Sequence, residues 1–484
     1  MHAMLKSGIV VLVLLPLAAC TSEPATGPEG PSASAGGPSH EPDAPAADAA
    51  ATAEAAPTSS DEGPPTSDDA PPAGAEPTST TSTASAAPAA SAAPAGPFWP
   101  RFHGPNGDNL STETGLLKQW PEGGPKLIWS TEGIGHGFSS VAIANGMIYT
   151  DGNVDETTTI TAMDMDGKIV WQKENGGAYT GSHPGTRGTP TLDGDRLYHE
   201  SPLGEVVCLD AQTGERIWGR HILKEYGAQN ITWALAESVV IDGARAICCP
   251  GGPQASVVAL DKATGKTLWA AKGTGDKAGY ATATVAECPG LRMVLAMNAK
   301  ALVGVNAANG DFLFRHPHET SYDVNATSPI YHAGRIFITS GYGSGSEMLE
   351  LTVDGRKASV EPVWTAKDLD NHHGGVLLLD GHLYGSSFKG KWVCLDWQTG
   401  EVAYSERGVG KGSLTYADGM LYTFSEKRQM GLVEATPSGH TVISRFELPS
   451  GGPGMSWAHP VVCGGRLYLR HSDRLSAFEV RAEP

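Results

Sequence analysis

The 484-residue chain is poor in cationic residues and in cysteine, and no segment between its motifs has helical periodicity. It carries 34 Lys and Arg against 53 Asp and Glu, a formal net charge of −19, and lacks a basic patch. This charge opposes phosphate backbones, so we expect no nucleic-acid partner. Seven cysteines predict a domain that relies on its core rather than on disulfides. The motif CxxCH is absent, which excludes a haem attached through that motif.

The N-terminus has the pattern of a secretory signal peptide. One cation lies in Met1 to Lys6, Ser7 to Pro16 is apolar, and Leu17 to Cys20 reads Leu-Ala-Ala-Cys. Residues 1–19 are therefore predicted to be a signal peptide. The Leu-Ala-Ala-Cys ending resembles a bacterial lipobox, which implies that Cys20 is lipidated and anchors the protein to a membrane. An ordinary secretory signal or a single-pass anchor are the alternatives, although the apolar run is short for a span.

Residues 20–96 have the composition of a tether. They are rich in Ala, Pro, Ser and Thr, contain eleven acidic residues, and have no Lys, Arg, Leu, Ile, Val or aromatic residue. Such a segment cannot bury enough apolar surface to fold, so a disordered acidic linker is predicted. Thr21, rather than Asp, follows the lipobox cysteine, and this favours the outer membrane, on its periplasmic side or surface. The expected location is thus the cell envelope.

A phrase of the form Asp-x-x-Thr-Gly-x-x-x-Trp recurs along the rest of the chain. It begins at Asp210 and at Asp261, a third copy begins at Asp396, and looser copies begin at Asp164 and Asn306. Each copy predicts a strand, a tight turn with Gly at positive φ, and a second strand ending in an aromatic residue. A fixed phrase every ~40–50 residues indicates a repeat architecture.

A second repeat runs in step with the first and fixes the number of units. Short apolar runs meet at eight two-residue turns, which are Asn145-Gly146, Asp193-Gly194, Asp242-Gly243, Pro289-Gly290, Ala333-Gly334, Asp380-Gly381, Asp418-Gly419 and Gly464-Gly465. Together the two phrases give four antiparallel strands per unit. Units of this kind close into a β-propeller, here an all-β, eight-bladed domain over residues 97–484.

The two ends of this domain predict how the ring closes. The chain stops just after Ser476 to Val480, which reads as a third strand, so the last blade lacks its outer strand. The early run Lys126 to Trp129 precedes any blade of its own. We therefore expect this early strand to complete the last blade, which removes two open sheet edges.

These phrases resemble the PQQ-like propeller repeats of quinoprotein alcohol dehydrogenases and of BamB-type lipoproteins, which act in outer-membrane barrel assembly. The segment Trp99 to Asn106, Trp-Pro-Arg-Phe-His-Gly-Pro-Asn, is similar to an opening found in a bacterial branch of these propellers, as are residues 189–195 and 410–419. The resemblance covers roughly residues 97–484. It implies the propeller fold and leaves two functions open, a binding scaffold or an oxidoreductase, because the family holds both.

A site in such a fold is expected where the innermost strands begin, at one mouth of the central channel. Polar and aromatic residues that converge there from several blades suit a polar ligand. The candidates are His136, Arg187, Trp233, Glu237, Asp323, Asn325, His372, His373, Lys411, Trp457 and His459. The alternative is that they only cap strands at a polar channel end.

The oxidoreductase reading implies PQQ and calcium as cofactors. Glu237 and Asn325 would hold Ca²⁺, Asp323 would act as base, and a cation and Trp233 would contact the quinone. Asp323 and Asn325, however, lie on one blade, whereas the enzymes spread these roles over several. No other metal is expected, because the adjacent ring nitrogens of His372 and His373 should diverge and no carboxylate lies at ligand spacing in the sequence.

The adjacent pair Cys248 and Cys249 is the other feature shared with quinoprotein dehydrogenases, some of which bridge adjacent cysteines. Here the pair ends a predicted strand, where neighbouring side chains point to opposite faces. We therefore expect no bridge. Cys208 and Cys394 occupy equivalent repeat positions and are predicted to be buried apolar groups.

The favoured reading is a monomeric, lipid-anchored propeller that binds an envelope protein or a polar ligand as a BamB-like scaffold, without a catalytic residue and without a cofactor. The PQQ- and calcium-dependent dehydrogenase is the alternative.

Overall fold

The computed structural model describes residues 96–272 and 274–483. The predicted signal peptide, Cys20 and nearly all of the predicted linker lie outside these residues. Two short strands come first, β1 (Leu110–Ser111) and β2 (Leu127–Thr131). In the part of the chain that is described, no helix has the length and apolarity that a membrane crossing requires.

The described residues then form eight four-stranded antiparallel units, which are the blades. Blade 1 contains β3 (Ala142–Ala144), β4 (Met147–Val154), β5 (Thr157–Asp164) and β6 (Ile169–Gly177). Blade 2 contains β7 (Thr191–Asp193), β8 (Arg196–Glu200), β9 (Glu205–Asp210) and β10 (Arg216–His221), and is followed by α1 (Ile222–Glu225). Blade 3 contains β11 (Val240–Asp242), β12 (Arg245–Cys248), β13 (Val257–Asp261) and β14 (Thr267–Ala271). Blade 4 contains β15 (Thr284–Cys288), β16 (Leu291–Met297), β17 (Ala301–Asn306) and β18 (Phe312–Pro317).

The second half of the ring repeats this order. A 3₁₀ turn (Ser321–Asp323) leads into blade 5, with β19 (Ile330–His332), β20 (Arg335–Ser340), β21 (Gly345–Asp354) and β22 (Lys357–Ala366). Blade 6 contains β23 (Val376–Leu379), β24 (His382–Ser386), β25 (Lys391–Asp396) and β26 (Val402–Arg407). Blade 7 contains β27 (Gly412–Ala417), β28 (Met420–Ser425), β29 (Gln429–Glu434) and β30 (Val442–Glu447). Blade 8 contains β31 (Val461–Cys463), β32 (Arg466–His471) and β33 (Arg474–Glu479), completed by β2.

The ring closes as the sequence predicts. Strand β2 pairs antiparallel with β33, with Trp129 opposite Ala477. A buried cation adds a second link between the last and first blades, because the Arg470 guanidinium donates to the Ser139 hydroxyl at 2.5 Å and to the Thr150 hydroxyl at 2.7 Å. The eight-bladed propeller and its closure by an N-terminal strand are thus confirmed.

The recurring phrase is explained by contacts between neighbouring blades. Trp218, on the outer strand of blade 2, donates its indole N–H to the carbonyl of Lys262 in blade 3 at 2.9 Å. Its ring also lies against Gly265, the glycine of the blade 3 phrase, at a distance that a Cβ would not tolerate. The same pair of contacts links Trp171 to Ala211 and Gly214. A tryptophan at the end of a phrase therefore fits the glycine turn of the next blade.

The hydrophobic core lies between the blades. The buried residues of the described chain fall into eight clusters, each drawn from two adjacent blades. Cys248 packs in the cluster between blades 2 and 3, and Cys249 in the cluster between blades 3 and 4. Both are free thiols on opposite faces of their sheet, as strand alternation predicts. Cys208 and Cys394 are fully buried, which confirms them as core residues.

Residues 97–111, which we call the plug, lie against the innermost strands near the end of the channel where those strands finish. Trp99 exchanges two backbone hydrogen bonds of 2.7 Å with Ile143 in blade 1. At its other end the plug becomes β1, which pairs in parallel with β27, Leu110 opposite Tyr416. A cavity of about 600 Å³ separates the plug from the inner strands of blades 4 to 6.

Candidate ligand-binding mouth

The mouth is the end of the channel where the innermost strands begin. It is built by two sets of segments: the loops that precede each first strand, and the hairpins between each second and third strand. Because the strands of a blade are antiparallel, both sets must lie at the same end. Of the predicted site residues, nearly all belong to the first set.

Aromatic rings form an arc around this mouth. The arc starts in the loop before blade 3 and ends in the loop before blade 1. In order, its rings are Trp233, Tyr322, Tyr342, Phe388, His372, His373, Trp457 and Phe138. The centroids of successive rings are 6.2, 5.5, 4.6, 5.3, 5.4, 5.7 and 4.7 Å apart. Most of these side chains are partly exposed, and Tyr322 is 70% exposed. The mouth therefore presents ring faces and edges at van der Waals spacing.

Arg187 continues the arc as a cation held between two rings. Its guanidinium carbon lies 5.3 Å from the ring centroids of both Phe138 and Tyr179. Two of its N–H groups donate to the carbonyls of Gly185 and His183, at 2.9 and 2.6 Å. Burial lowers the pKa of Arg187 to about 10, and the nearby Tyr179 hydroxyl opposes this shift. Within the described chain no carboxylate forms an ion pair with Arg187, so its charge is directed at the mouth without an acidic counterpart.

Three of the sequence candidates, Lys411, His372 and His373, lie together in the mouth with Glu426. The Lys411 ammonium lies 3.0 Å from Glu426 Oε1 and 3.4 Å from His372 Nδ1, and its Nζ is 4.6 Å from the Phe388 ring centroid. Trp457 donates its indole N–H to the same Glu426 oxygen at 2.8 Å. This charge pair is therefore already satisfied within the protein.

The two histidines of this group are held neutral. Burial, and then the nearby Lys411 charge, lower the pKa of His372 to about 3. Burial also lowers the pKa of His373 well below its usual value, with a smaller contribution from His372. Their Nδ1 atoms lie 3.4 Å apart. The expectation that adjacent ring nitrogens diverge was wrong, because the pair lies in a loop rather than on an extended strand. One atom from each of His372, His373 and Glu426 lies within 4.8 Å of the others, a spacing at which the three can hold a metal ion.

Asn325 does not face a ligand. It is fully buried, and its amide donates to the carbonyls of Asn298, Ala299 and His318 at 2.8 to 3.1 Å. Its amide oxygen accepts from the Ser340 hydroxyl at 2.5 Å. All of its polar atoms are therefore used to tie blade 4 to blade 5.

Glu237 is also internal. Its side chain is buried and accepts a hydrogen bond from the backbone N–H of Cys249. Glu200, which is equally buried, is close enough to interact electrostatically with it. Burial raises the pKa of Glu237 to about 7 and that of Glu200 well above its usual value. The two buried carboxyls lie inside the wall of blades 2 and 3, where burial favours their protonated forms.

His459 and His136 hold the walls of the channel. His459 Nε2 donates to the His373 carbonyl at 2.8 Å, so its Nδ1 accepts from His103 Nε2 of the plug at 3.0 Å. Burial lowers the pKa of His459 to about 4. His136 shares a 2.6 Å hydrogen bond with the Ser472 hydroxyl of blade 8. These two candidates are linked to neighbouring blades and the plug.

The mouth also concentrates backbone strain. His183, Tyr322, Asp323 and Tyr342 are non-glycine residues with φ between +53° and +64°. Each such residue costs about 1–3 kcal/mol unless its surroundings hold it in place, and residues of this kind gather at binding sites. Asp323, half-buried beside Tyr322, is the predicted candidate that this strained turn carries.

Several mouth residues were not predicted from the sequence, among them Tyr342, Phe388 and Glu426. All three lie in hairpins between second and third strands. The topology alone contains the signal for them, because those hairpins must share the end of the channel where the first strands begin.

The comparisons with known proteins agree with the propeller fold. The family described as outer membrane protein assembly factor BamB, with PQQ-like repeats, matches residues 103–257 and 234–406. No curated protein matches the chain. BamB from Moraxella catarrhalis is similar in structure, with a TM-score of 0.53, 14% identity, and coverage of 73% of this chain and 99% of that one.

Two enzymes are similar to the same extent. The quinohemoprotein alcohol dehydrogenase from Comamonas testosteroni has a TM-score of 0.57 at 12% identity, covering 80% of this chain and 81% of the other. A europium-containing methanol dehydrogenase has a TM-score of 0.57 at 10% identity, covering 78% and 90%. Identities this low show a shared fold and leave the activity open. The family match, in contrast, covers more than half of the sequence, and this protein therefore belongs to the PQQ-like β-propeller family described as outer membrane protein assembly factor BamB.

Proposed function

We propose that this protein is a lipid-anchored binding scaffold of the cell envelope, whose mouth holds a segment of a partner protein. The observation that carries the proposal is the aromatic arc together with Arg187, a cation without a carboxylate partner among the described residues. Tyr, Trp and Arg are the residue types that dominate protein-binding energy. Their positions here are fixed by a rigid ring of blades, so little ordering is needed on binding.

The chemistry of the mouth indicates what the segment contains. Exposed ring faces at Tyr322 and Trp233 favour apolar or aromatic side chains, and Arg187 favours a carboxylate nearby. The Lys411 charge is already neutralised by Glu426, so it adds little attraction. An extended segment with an aromatic residue and an acidic group suits this arrangement.

The anchor fits the same role. Lipidation at Cys20 would hold the protein at a membrane, and the linker of residues 20–96 would span roughly 50 Å as a flexible coil. The propeller could then reach partners away from the point of attachment. The family description names outer-membrane protein assembly, which supports an envelope protein as the partner.

The residues that would have to hold calcium and PQQ are poorly placed to do so. Ca²⁺ needs several oxygen ligands that converge on one point. Glu237 accepts a hydrogen bond from the Cys249 backbone N–H inside the wall, and the amide of Asn325 is fully used within its own surroundings. Binding an ion there would break these internal hydrogen bonds. Neither residue is offered to the mouth, and Asp323 alone cannot form such a site.

Site-specific photo-crosslinking in the native envelope tests the proposal. A photoreactive residue in place of Tyr322 should form an adduct with one envelope protein, and Arg187→Gln in the same chain should weaken it. The matched control is the same residue in place of Val170, which is 53% exposed on the outer strand of blade 1. Adducts of equal yield at both positions, or none at residue 322, would contradict binding through the mouth.

A further inference from the structure

Four polar atoms in the mouth form the corners of a small polyhedron. His372 Nδ1 and His373 Nδ1 are 3.4 Å apart, and His373 Nδ1 is 3.6 Å from Glu426 Oε1. Lys411 Nζ occupies the remaining corner, 3.0 Å from Glu426 Oε1 and 3.4 Å from His372 Nδ1. The side chains of His373, Glu426 and Lys411 are 12 to 18% exposed, so the group can be reached from solvent.

These spacings match the edges of a tetrahedral metal site. With metal–ligand bonds of about 2.0–2.1 Å, two ligands of a tetrahedral zinc ion lie about 3.3–3.4 Å apart. Two of the three ligand edges, 3.4 and 3.6 Å, are within a few tenths of an ångström of that value, and all three ligand atoms lie within 4.8 Å of one another. We propose that His372, His373 and Glu426 bind zinc or a similar divalent transition-metal ion, and that the Lys411 ammonium takes its place when the metal is absent.

The donor set selects the class of ion. Two imidazole nitrogens and one carboxylate oxygen suit zinc, copper or nickel, whereas calcium takes oxygen ligands. Three protein ligands leave a fourth position, the corner that Lys411 Nζ now occupies.

Lys411 competes with the metal for this position. An ammonium group at the fourth corner would be repelled by a dication at the centre. The metal can enter only when Lys411 moves away from Glu426 and from the Phe388 ring, which now hold it. Replacing Lys411 by Met removes the competing charge and frees the carboxylate, so the variant should bind metal more tightly than the natural protein.

This site goes beyond the proposed scaffold function and does not depend on it. A bound ion would add an open coordination position beside the aromatic arc, for a carboxylate or imidazole of the partner. The partner could still bind through the arc without the ion. Loss of metal binding and loss of crosslinking at the mouth are therefore separate results.

Metal titration of the untagged, chelator-treated full-length chain tests the proposal. Co²⁺ is the probe for geometry, through the visible absorption of a tetrahedral complex, and Zn²⁺ competition against a chromophoric chelator gives the affinity. We expect one ion per chain, an affinity about 10-fold or more weaker in His373→Gln and in Glu426→Gln, and about 10-fold or more tighter in Lys411→Met. His332→Gln, an exposed histidine in the blade 5 hairpin at the other end of the channel, is the matched control and should bind as the natural chain does.

Three results would overturn the site: no stoichiometric binding by either the natural chain or Lys411→Met, unchanged affinity in either ligand variant, or equal loss in His332→Gln. Because Lys411→Met keeps all three ligands and is expected to gain affinity, a loss of folding in a ligand variant does not decide the test.

Discussion

Replacing Gly265 by Ala tests directly whether the recurring phrase joins neighbouring blades through its tryptophan and glycine. Gly265 has φ +72°, and a Cβ built there would lie 2.7 Å from Cε3 and 2.8 Å from Cδ2 of the Trp218 ring. Trp218 cannot easily move, because it is buried and its indole N–H is bonded to the carbonyl of Lys262. The substitution therefore disturbs the contact that joins blade 2 to blade 3.

Two effects add in this variant. Alanine in the left-handed region costs about 1–2 kcal/mol, and inserting a methyl group into a packed contact costs about 1–3 kcal/mol. The free energy of unfolding should thus fall by about 2–5 kcal/mol. Gly243 is a matched control in the same blade, since it has φ +59° and no atom within 4 Å of its built Cβ. Gly243→Ala should lose only the backbone part, about 1–2 kcal/mol.

Urea unfolding of the two variants and the natural chain measures the difference, provided that the slope of the transition is unchanged. Gly265→Ala should be less stable than Gly243→Ala by about 1–3 kcal/mol. In a Trp218→Val background the extra loss should disappear, because the clashing ring is gone. Equal losses in the two glycine variants would refute the inter-blade reading of the phrase.

The remaining predictions concern buried ionisable groups. Burial raises the pKa of Glu237 from 4.5 to about 7. The protonated carboxyl therefore contributes fully to stability below about pH 4.5, and this contribution is lost as the pH rises through 7. Glu237→Gln should reduce the fall in melting temperature between pH 5 and 8. Burial raises the pKa of Glu347, but hydrogen bonds from His316 and His318 outweigh it and lower this pKa to about 2. The contribution of Glu347 to stability should therefore be lost as the pH falls from 4.5 toward 2, and His318→Gln should weaken that acid dependence of the melting temperature. Arg470→Lys should cost about 1–3 kcal/mol in urea unfolding, because fewer donors are left for the carbonyls and the Ser139 hydroxyl that the guanidinium satisfies.

The fold was predictable because its signals are local and repeated. Turn dipeptides such as Asp242-Gly243 mark every first hairpin, and the aromatic residues on the outer strands, from Trp129 to Tyr404, mark the fourth strand of every blade except blade 7. The closing strand could be found by counting, since one outer strand was missing at the end and one was spare at the start. The plug had a family resemblance but no periodicity, so its position in the channel could not be derived.

The location of the candidate residues could be predicted from the sequence, but the contacts that their side chains make could be predicted only in part. Position in the topology brings Arg187, His372 and Lys411 to the mouth as expected. Whether a loop residue faces the channel or the wall depends on individual backbone angles, which no pattern encodes. Glu237 and Asn325 face the wall for this reason. Glu426 could not be paired with the histidines from spacing, because it comes from the hairpin of another blade.

Titration of PQQ into the full-length chain, with and without Ca²⁺ and followed by thermal melting, tests the central claim most directly. A ligand that binds the folded state at 100 times its dissociation constant adds about 2.7 kcal/mol of stability. If the protein is a scaffold, we expect no calcium-dependent rise in melting temperature, because the side chains of Glu237 and Asn325 already form hydrogen bonds within the wall. A calcium-dependent rise that disappears in Asn325→Ala would contradict the account and establish the quinone-binding alternative.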